Sequence, residues 1–343
     1  MQFKYILSLI LLLPFAAIGQ AQQTFIGEQN LRFKDTARNR PLVTEVWYPT
    51  TDKSRQPSLK KDYPFITEPT IWSAQLPAEK HPLIMISHGT GGGRMTLEWL
   101  ADALVKQGFI VAAVDHWGNT YDNKIAMNFV TPWHRAQDIS YVLTQLLNHP
   151  EFGKVIDKEH IGAAGFSIGG YTVIALAGGK LDIDALADFS KTPQGIKETT
   201  VPEFPNLMAS VKIEDIKASF AKSPSLKDDR IKAFFAICPG IGQGFTKASQ
   251  LKDVKRPIYI VGTEGDVMTP AKTNATHYHN LMPKSQYYLV KGKAGHYVFL
   301  NEAIPIVKQS DALLFNDAPG VDRHAVHELV GGMAAAFFKS NLK

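Results

Sequence analysis

The amino-acid sequence predicts an α/β fold with a mostly parallel central sheet flanked by helices, and three observations carry that reading. Leu83-Ile84-Met85-Ile86-Ser87 and Phe109-Ile110-Val111-Ala112-Ala113-Val114 are unbroken apolar runs of buried-strand length. Between them, Met95 to Gln107 repeats apolar residues at helical spacing (Leu97, Leu100, Ala101, Leu104, Val105) and stops at Gly108, so strand, helix and strand form one crossover unit of a parallel sheet. The third is a short apolar strand, His160-Ile161-Gly162-Ala163-Ala164, that runs through Gly165-Phe166-Ser167-Ile168-Gly169-Gly170 into an apolar helix beginning at Tyr171.

Taken in order, residues 1–21 hold one Lys, an apolar run from Tyr5 to Ile18, and small residues at Ala17-Ile18-Gly19 and Gly19-Gln20-Ala21. That pattern predicts a secretory signal peptide; the apolar core is too short for a comfortable membrane span, and no Cys follows it for lipid attachment. The remaining chain, 22–343, is expected to be exported, periplasmic or secreted. Its single cysteine, Cys238, permits no intrachain disulfide, so stability must come from core packing.

Phe25 to Phe33 and Leu42 to Tyr48 are expected to form an antiparallel hairpin at a sheet edge, joined by a polar turn that Pro41 closes. Thr50 to Pro82 is rich in Lys, Pro and Ser and is expected to hold little regular structure. A helix from Trp133 to Leu147 leads into the strand before Ser167. After the helix that follows Ser167, the next clear strand is Ile231 to Ile237, so residues 179–230 are an insertion. Leu207, Val211, Ile216 and Phe220 stand at helical spacings within it, and Pro193, Pro202, Pro205 and Pro224 break it into pieces. Helical pieces at this point in the chain are expected over the carboxyl edge of the sheet, where ligands bind in open α/β folds, and suit a lid. Pro257 to Val261 and Ser285 to Val290 are further strands, and Arg323 to Lys339 is a closing helix.

Hydrophobic content of 45% and charged content of 20% allow a full core in one domain. The formal charge of +5 falls to +4 without Lys4, and no Lys/Arg run exceeds two residues, so a nucleic-acid footprint is not supported.

The chemistry centres on Ser167. A Gly-x-Ser-x-Gly turn between strand and helix lifts the serine hydroxyl clear of the sheet and places the Ile168 N–H at a helix N-terminus, aimed at a developing oxyanion. A serine needs a base, and the base an orienting acid. Asp266, in a Gly-flanked loop after the strand ending at Val261, is the acid candidate, with Glu264 as its rival. His296, in Gly295-His296 after the strand Ser285 to Val290, is the base candidate. Among the other ten histidines, His88, His116, His277, His279, His324 and His327 are the rivals. The His324/His327 spacing lacks a third ligand nearby in sequence, so no metal is expected. Gly89 to Gly93 does not fit a phosphate loop, because Arg94 stands where a dinucleotide fingerprint requires Gly. As the loop after the first parallel strand it suits the other half of an oxyanion hole, with Thr90 N–H as donor. Gly240, Gly242 and Gly244 form a second Gly-rich loop, read as a turn near the pocket.

His88-Gly89-Thr90-Gly91-Gly92, Gly165 to Gly170, Gly262 to Pro270 with Asp266, and Gly295-His296 together resemble the α/β-hydrolase superfamily. Within it, Asp35 to Pro49 and Gly108 to His116 are similar to the exported dienelactone-hydrolase-like proteins and the related platelet-activating-factor acetylhydrolases. Dienelactone hydrolases use Cys where this chain has Ser167. The acetylhydrolases place their acid after the strand that here ends Ile237-Cys238-Pro239, where no Asp stands, so that role passes to Asp266. The resemblance implies an ester hydrolase acting on a small-molecule or lipid ester, without metal or organic cofactor. An acyltransferase using the same three residues and a non-catalytic binding protein on the same fold are the alternatives.

Overall fold

Among the described residues nine strands, counted in chain order, form one sheet in the spatial order third, first, second, fifth, fourth, sixth, seventh, eighth, ninth. The structure is a computed structural model that describes residues 23–202 and 204–342. The expected signal segment, 1–21, lies outside the described residues. The strands are β1 (Phe25–Asp35), β2 (Arg40–Thr50), β3 (Thr70–Trp72), β4 (His81–Ser87), β5 (Ile110–Val114), β6 (Ile156–Phe166), β7 (Ile231–Ile237), β8 (Ile258–Thr263) and β9 (Gln286–Val290). β1 and β2 pair antiparallel from Phe25↔Thr50 to Asp35↔Arg40, and β2 lies antiparallel to β5. Every neighbouring pair across β5-β4-β6-β7-β8-β9 is parallel. The helices are α1 (Glu98–Val105), α2 (Ala126–Val130), α3 (Trp133–Asn148), α4 (Phe152–Val155), α5 (Ile168–Ala177), α6 (Ile183–Ser190), α7 (Pro193–Glu198), α8 (Ile213–Ala221), α9 (Ala275–Leu281), α10 (Pro305–Ser310), α11 (Ala312–Phe315) and α12 (Arg323–Asn341).

Alternation along the strands sorts the core into two layers. Leu83, Met85, Ile110 and Ala112 pack on one face with Ile139, Val142 and Leu143 of α3 and Ile174 of α5. Ile84, Ile86, Val111 and Ala113 pack on the other with Leu100 and Leu104 of α1 and Phe338 of α12. Cover on both faces is why β4 and β5 read as continuous apolar runs.

Three elements differ from the sequence reading. The stretch 50–82 supplies β3, which pairs parallel with β1, so the hairpin is not the outer edge. Its apolar signal is one buried residue, Ile71, and its polar anchor, Thr70 Oγ1 donating to Glu28 Oε2 at 2.7 Å, is tertiary. The first helix starts at Glu98 rather than Met95, because Asn301 caps it from a distant loop: its Oδ1 accepts from Glu98 N–H at 3.1 Å and its Nδ2 donates to the Met95 carbonyl at 2.8 Å. In the insertion, Ile216 and Phe220 fall in α8, but Leu207 lies in a 3₁₀ turn and Val211 between the two. The insertion packs through Phe220 on Trp133 and Phe204 on Phe129. It also reaches the carboxyl edge of the sheet, where Glu198 accepts from Gln243 Nε2 at 2.6 Å and Thr273 Oγ1 at 2.7 Å, in the stretches after β7 and β8.

Candidate active site

The turn between β6 and α5 is held in a conformation that most residues avoid. Ser167 has φ 58° and ψ −123°, a region that costs a non-glycine residue about 1–3 kcal/mol unless its surroundings over-determine it. Here they do: Ser167 N–H donates to the Ile237 carbonyl at 2.9 Å, and the Ser167 carbonyl accepts from Gly240 N–H at 3.0 Å. The flanking glycines are needed for close approach. A Cβ on Gly165 would stand 2.1 Å from the Gly169 carbonyl oxygen, and one on Gly169 would stand 2.0 Å from that of Ser87.

β8 and β9 end on the same edge as β6 and bring the other two residues to the serine. Ser167 Oγ and His296 Nε2 are 2.9 Å apart, and His296 Nδ1 and Asp266 Oδ2 are 2.7 Å apart. Asp266 and His296 are buried, whereas Ser167 is partly open. Asp266 Oδ1 accepts from the amides of Met268 (2.8 Å) and Thr269 (2.7 Å), and Oδ2 accepts from Thr269 Oγ1 (2.8 Å). Burial pushes this carboxyl up, but His296 and the Thr269 donors outweigh it and hold the group at about 2. An ionised Asp266 fixes the imidazole proton on Nδ1 and leaves Nε2 to accept from the serine. The ring rests on Phe166, 4.7 Å between centroids. Chemically, such an arrangement can pass a proton from Oγ to Nε2 as the oxygen attacks an electrophile.

The two expected oxyanion donors flank the same serine. Ile168 is the first residue of α5, where backbone N–H groups lack an intrahelical acceptor. The glycine-rich loop passes against the turn, so that a Cβ on Gly89 would stand 3.4 Å from Ser167 Cβ. The amides that follow Thr90 are engaged: Gly91 with Asn119 Oδ1, Gly92 with the Gly89 carbonyl, Gly93 with Thr96 Oγ1 and Arg94 with Asp115 Oδ1. Among the described residues, no acceptor meets Thr90 N–H.

The rivals are occupied elsewhere. Glu264 accepts from Gly292 N–H at 2.8 Å, in the open. His277 bonds the Phe245 carbonyl, His279 Ser285 Oγ, His324 Glu302 and His327 the Val298 carbonyl. His88 and His116 lie buried behind the glycine-rich loop. The loop at Gly240 to Gly244 packs on the Ser167 turn, a Cβ on Gly240 standing 3.7 Å from Ile168 N. Two neighbours escape a reading of the sequence. Thr269 Oγ1 sits 3.2 Å from His296 Nδ1 as well as on Asp266. Cys238, with φ 41°, brings its Sγ within 4.8 Å of the His296 and Asp266 ligand atoms. Burial pushes that thiol well up, so it stands protonated beside the acid. A Thr three residues after the Asp was the one local sign of the first; the second has none.

Residues 53–121 match the family model of platelet-activating factor acetylhydrolase, isoform II. They contain β4, the glycine-rich loop, α1 and β5, but neither Ser167, Asp266 nor His296. The chain is 46% identical over 52 residues to platelet-activating factor acetylhydrolase of Bos taurus. That alignment covers 15% of this chain and 12% of the bovine protein. In fold the chain is similar to ferulic acid esterase from Streptomyces cinnamoneus, with a TM-score of 0.59 and 18% identity over 95% of this chain and 92% of that one. The fold is that of an α/β-hydrolase.

Proposed function

We propose that this protein is an exported serine hydrolase of carboxylic esters. The observation that carries the reading is the continuous series from Ser167 Oγ through His296 to Asp266, at 2.9 and 2.7 Å, on three strand ends. Ser167 Oγ attacks the ester carbonyl carbon while His296 Nε2 takes its proton, and Asp266 stabilises the imidazolium. The N–H groups of Thr90 and Ile168 hold the oxyanion. Collapse of the tetrahedral intermediate breaks the bond to the alcohol oxygen, which receives the proton from His296. Water, deprotonated by His296, then attacks the acyl-serine, and the acid departs with Ser167 restored.

The two proteins compared above are named an acetylhydrolase of platelet-activating factor and a ferulic acid esterase, which supports an ester bond as the target; a small-molecule or lipid ester is the substrate class of this reading. The insertion 179–230, tethered by Glu198 beside the site, is read as its lid, and residues 1–21 as the export signal. The dienelactone-hydrolase-like subgroup is proposed on the resemblance of Asp35 to Pro49 and Gly108 to His116, with Ser167 in place of that family's Cys.

The experiment is fluorophosphonate labelling of purified protein lacking residues 1–21, with turnover of p-nitrophenyl esters from acetyl to palmitoyl. Wild type labels at Ser167 and turns over with a chain-length optimum, and Ser167→Ala does neither. Near-normal turnover by Ser167→Ala overturns the reading.

A further inference from the structure

Behind the glycine-rich loop lies a buried cation with little to neutralise it. Arg135, in the first turn of α3, is 1% exposed. Its Nη2 donates to the His88 carbonyl, while Nε and Nη1 meet no acceptor among the described residues. The neighbouring carboxylate, Asp138, is already engaged. Arg40 contacts it at 2.7 and 2.6 Å, Arg38 at 3.0 Å and His116 Nδ1 at 3.1 Å. A guanidinium so placed works against folding, because its desolvation is not repaid by partners. Packing therefore does not explain it.

The peptide geometry of the loop does. His116 N–H donates to His88 Nε2 at 3.2 Å, which leaves the His88 proton on Nδ1. Nδ1–H donates to the Gly89 carbonyl at 2.6 Å, and Gly92 N–H reaches the same oxygen at 3.2 Å. The Gly89 carbonyl and the Thr90 N–H are two ends of one planar unit. Fixing and polarising the oxygen thus aims the N–H and strengthens it as a donor. Arg135 grips the preceding carbonyl, that of His88 itself, so the cation orients the residue that orients the donor.

We propose that Arg135 is a positioning residue for the oxyanion donor Thr90, acting through His88. The proposal rests on the ester-hydrolase reading above. It separates two effects that a structural role would join: removing the charge relieves the desolvation penalty, yet loosens the donor.

The test is Arg135→Met, assayed on the p-nitrophenyl ester that wild type turns over best. The melting temperature is expected to stay level or rise. KM stays within about threefold, because the interaction lost is one made mainly in the transition state. kcat falls by about 10- to 100-fold, the scale of a donor displaced by up to about 1 Å. The inhibition constant of an aryl boronic acid, which forms a tetrahedral adduct on the serine, rises by a similar factor. Arg135→Ala is expected to regain part of its kcat when guanidinium ion is added. Unchanged kcat and boronate inhibition in Arg135→Met overturn the proposal. So does a kcat loss that tracks a lower melting temperature and that guanidinium leaves unrescued in Arg135→Ala. Should Arg135→Met fail to fold, the same constants on Arg135→Ala decide: wild-type kcat and boronate inhibition there, without added guanidinium, overturn it. A wild type that neither labels nor turns over refutes the ester-hydrolase reading instead, which keeps the two failures apart.

Discussion

Lys60→Met tests how the irregular stretch between β2 and β3 is bound to the body of the protein. Lys60 Nζ lies 2.9 Å from Glu28 Oε2 and directly against Glu98 Oε1, and the two carboxylate side chains are 1% and 0% exposed. Tyr63 OH adds a bond to Glu98 Oε2 at 2.8 Å. Burial pushes the Glu98 carboxyl up, and the Lys60 ammonium is the main opposing influence. Removing the ammonium leaves two carboxylates facing each other out of water, a break that costs about 3–5 kcal/mol in buried pairs. Scanning calorimetry should show a melting temperature lower by on the order of 10 °C. The pH dependence has a definite sign. With its folded value raised above the unfolded one, Glu98 binds more protons in the native state, so its unfavourable contribution grows as pH rises through that window and fades on acidification. Loss of Lys60 raises the folded value further. The penalty of Lys60→Met must therefore deepen as pH rises above the ordinary carboxylate range and shrink on acidification back toward it, and adding Glu98→Gln must recover part of it. A variant that melts within about 2 °C of wild type, or whose penalty deepens on acidification, refutes the reasoning.

Asp266→Asn keeps the side-chain volume but no longer fixes the imidazole proton on Nδ1; kcat on p-nitrophenyl acetate should fall by about 10⁴-fold with little change in KM. Because Asp266 sits at about 2 when folded, against its ordinary 3.8, its stabilising contribution is present above about pH 4 and is lost as pH falls toward 2. The wild type should lose roughly 2 kcal/mol more than Asp266→Asn over that range in acid-unfolding titrations, and equal losses would contradict this. In Gly169→Ala the new Cβ would meet the Ser87 and His88 carbonyl oxygens at 2.0 and 2.7 Å. The start of α5 must then move away from β4, lowering stability by about 1–3 kcal/mol and displacing the Ile168 donor, with kcat down by about 10²-fold. A Gly169→Ala protein with wild-type melting and turnover would show that the approach is looser than the geometry states.

The parts of the fold and site legible in the sequence are those whose cause is local. β4, β5 and β7 are apolar because both faces are covered, and that signature survives in a single chain. Ser167 follows directly on β6 and Asp266 stands three residues after β8, whereas His296 comes six residues after β9, a half-buried edge strand, so chemistry and position coincide within a few residues. β3 and the start of α1 were hidden because their causes lie far along the chain: Thr70 is anchored by Glu28, and Glu98 is capped by Asn301. Arg135 is an intermediate case. On α3 the buried stripe runs through Ile139, Val142 and Leu146, and Arg135 stands one turn before Ile139 on the same stripe, with Asp138 beside it. A surface role would have put both charges on the opposite face. Two charges on the apolar stripe of an amphipathic helix therefore already state that something buried requires them. Only the identity of that partner, the carbonyl of His88 forty-seven positions earlier, needed the fold.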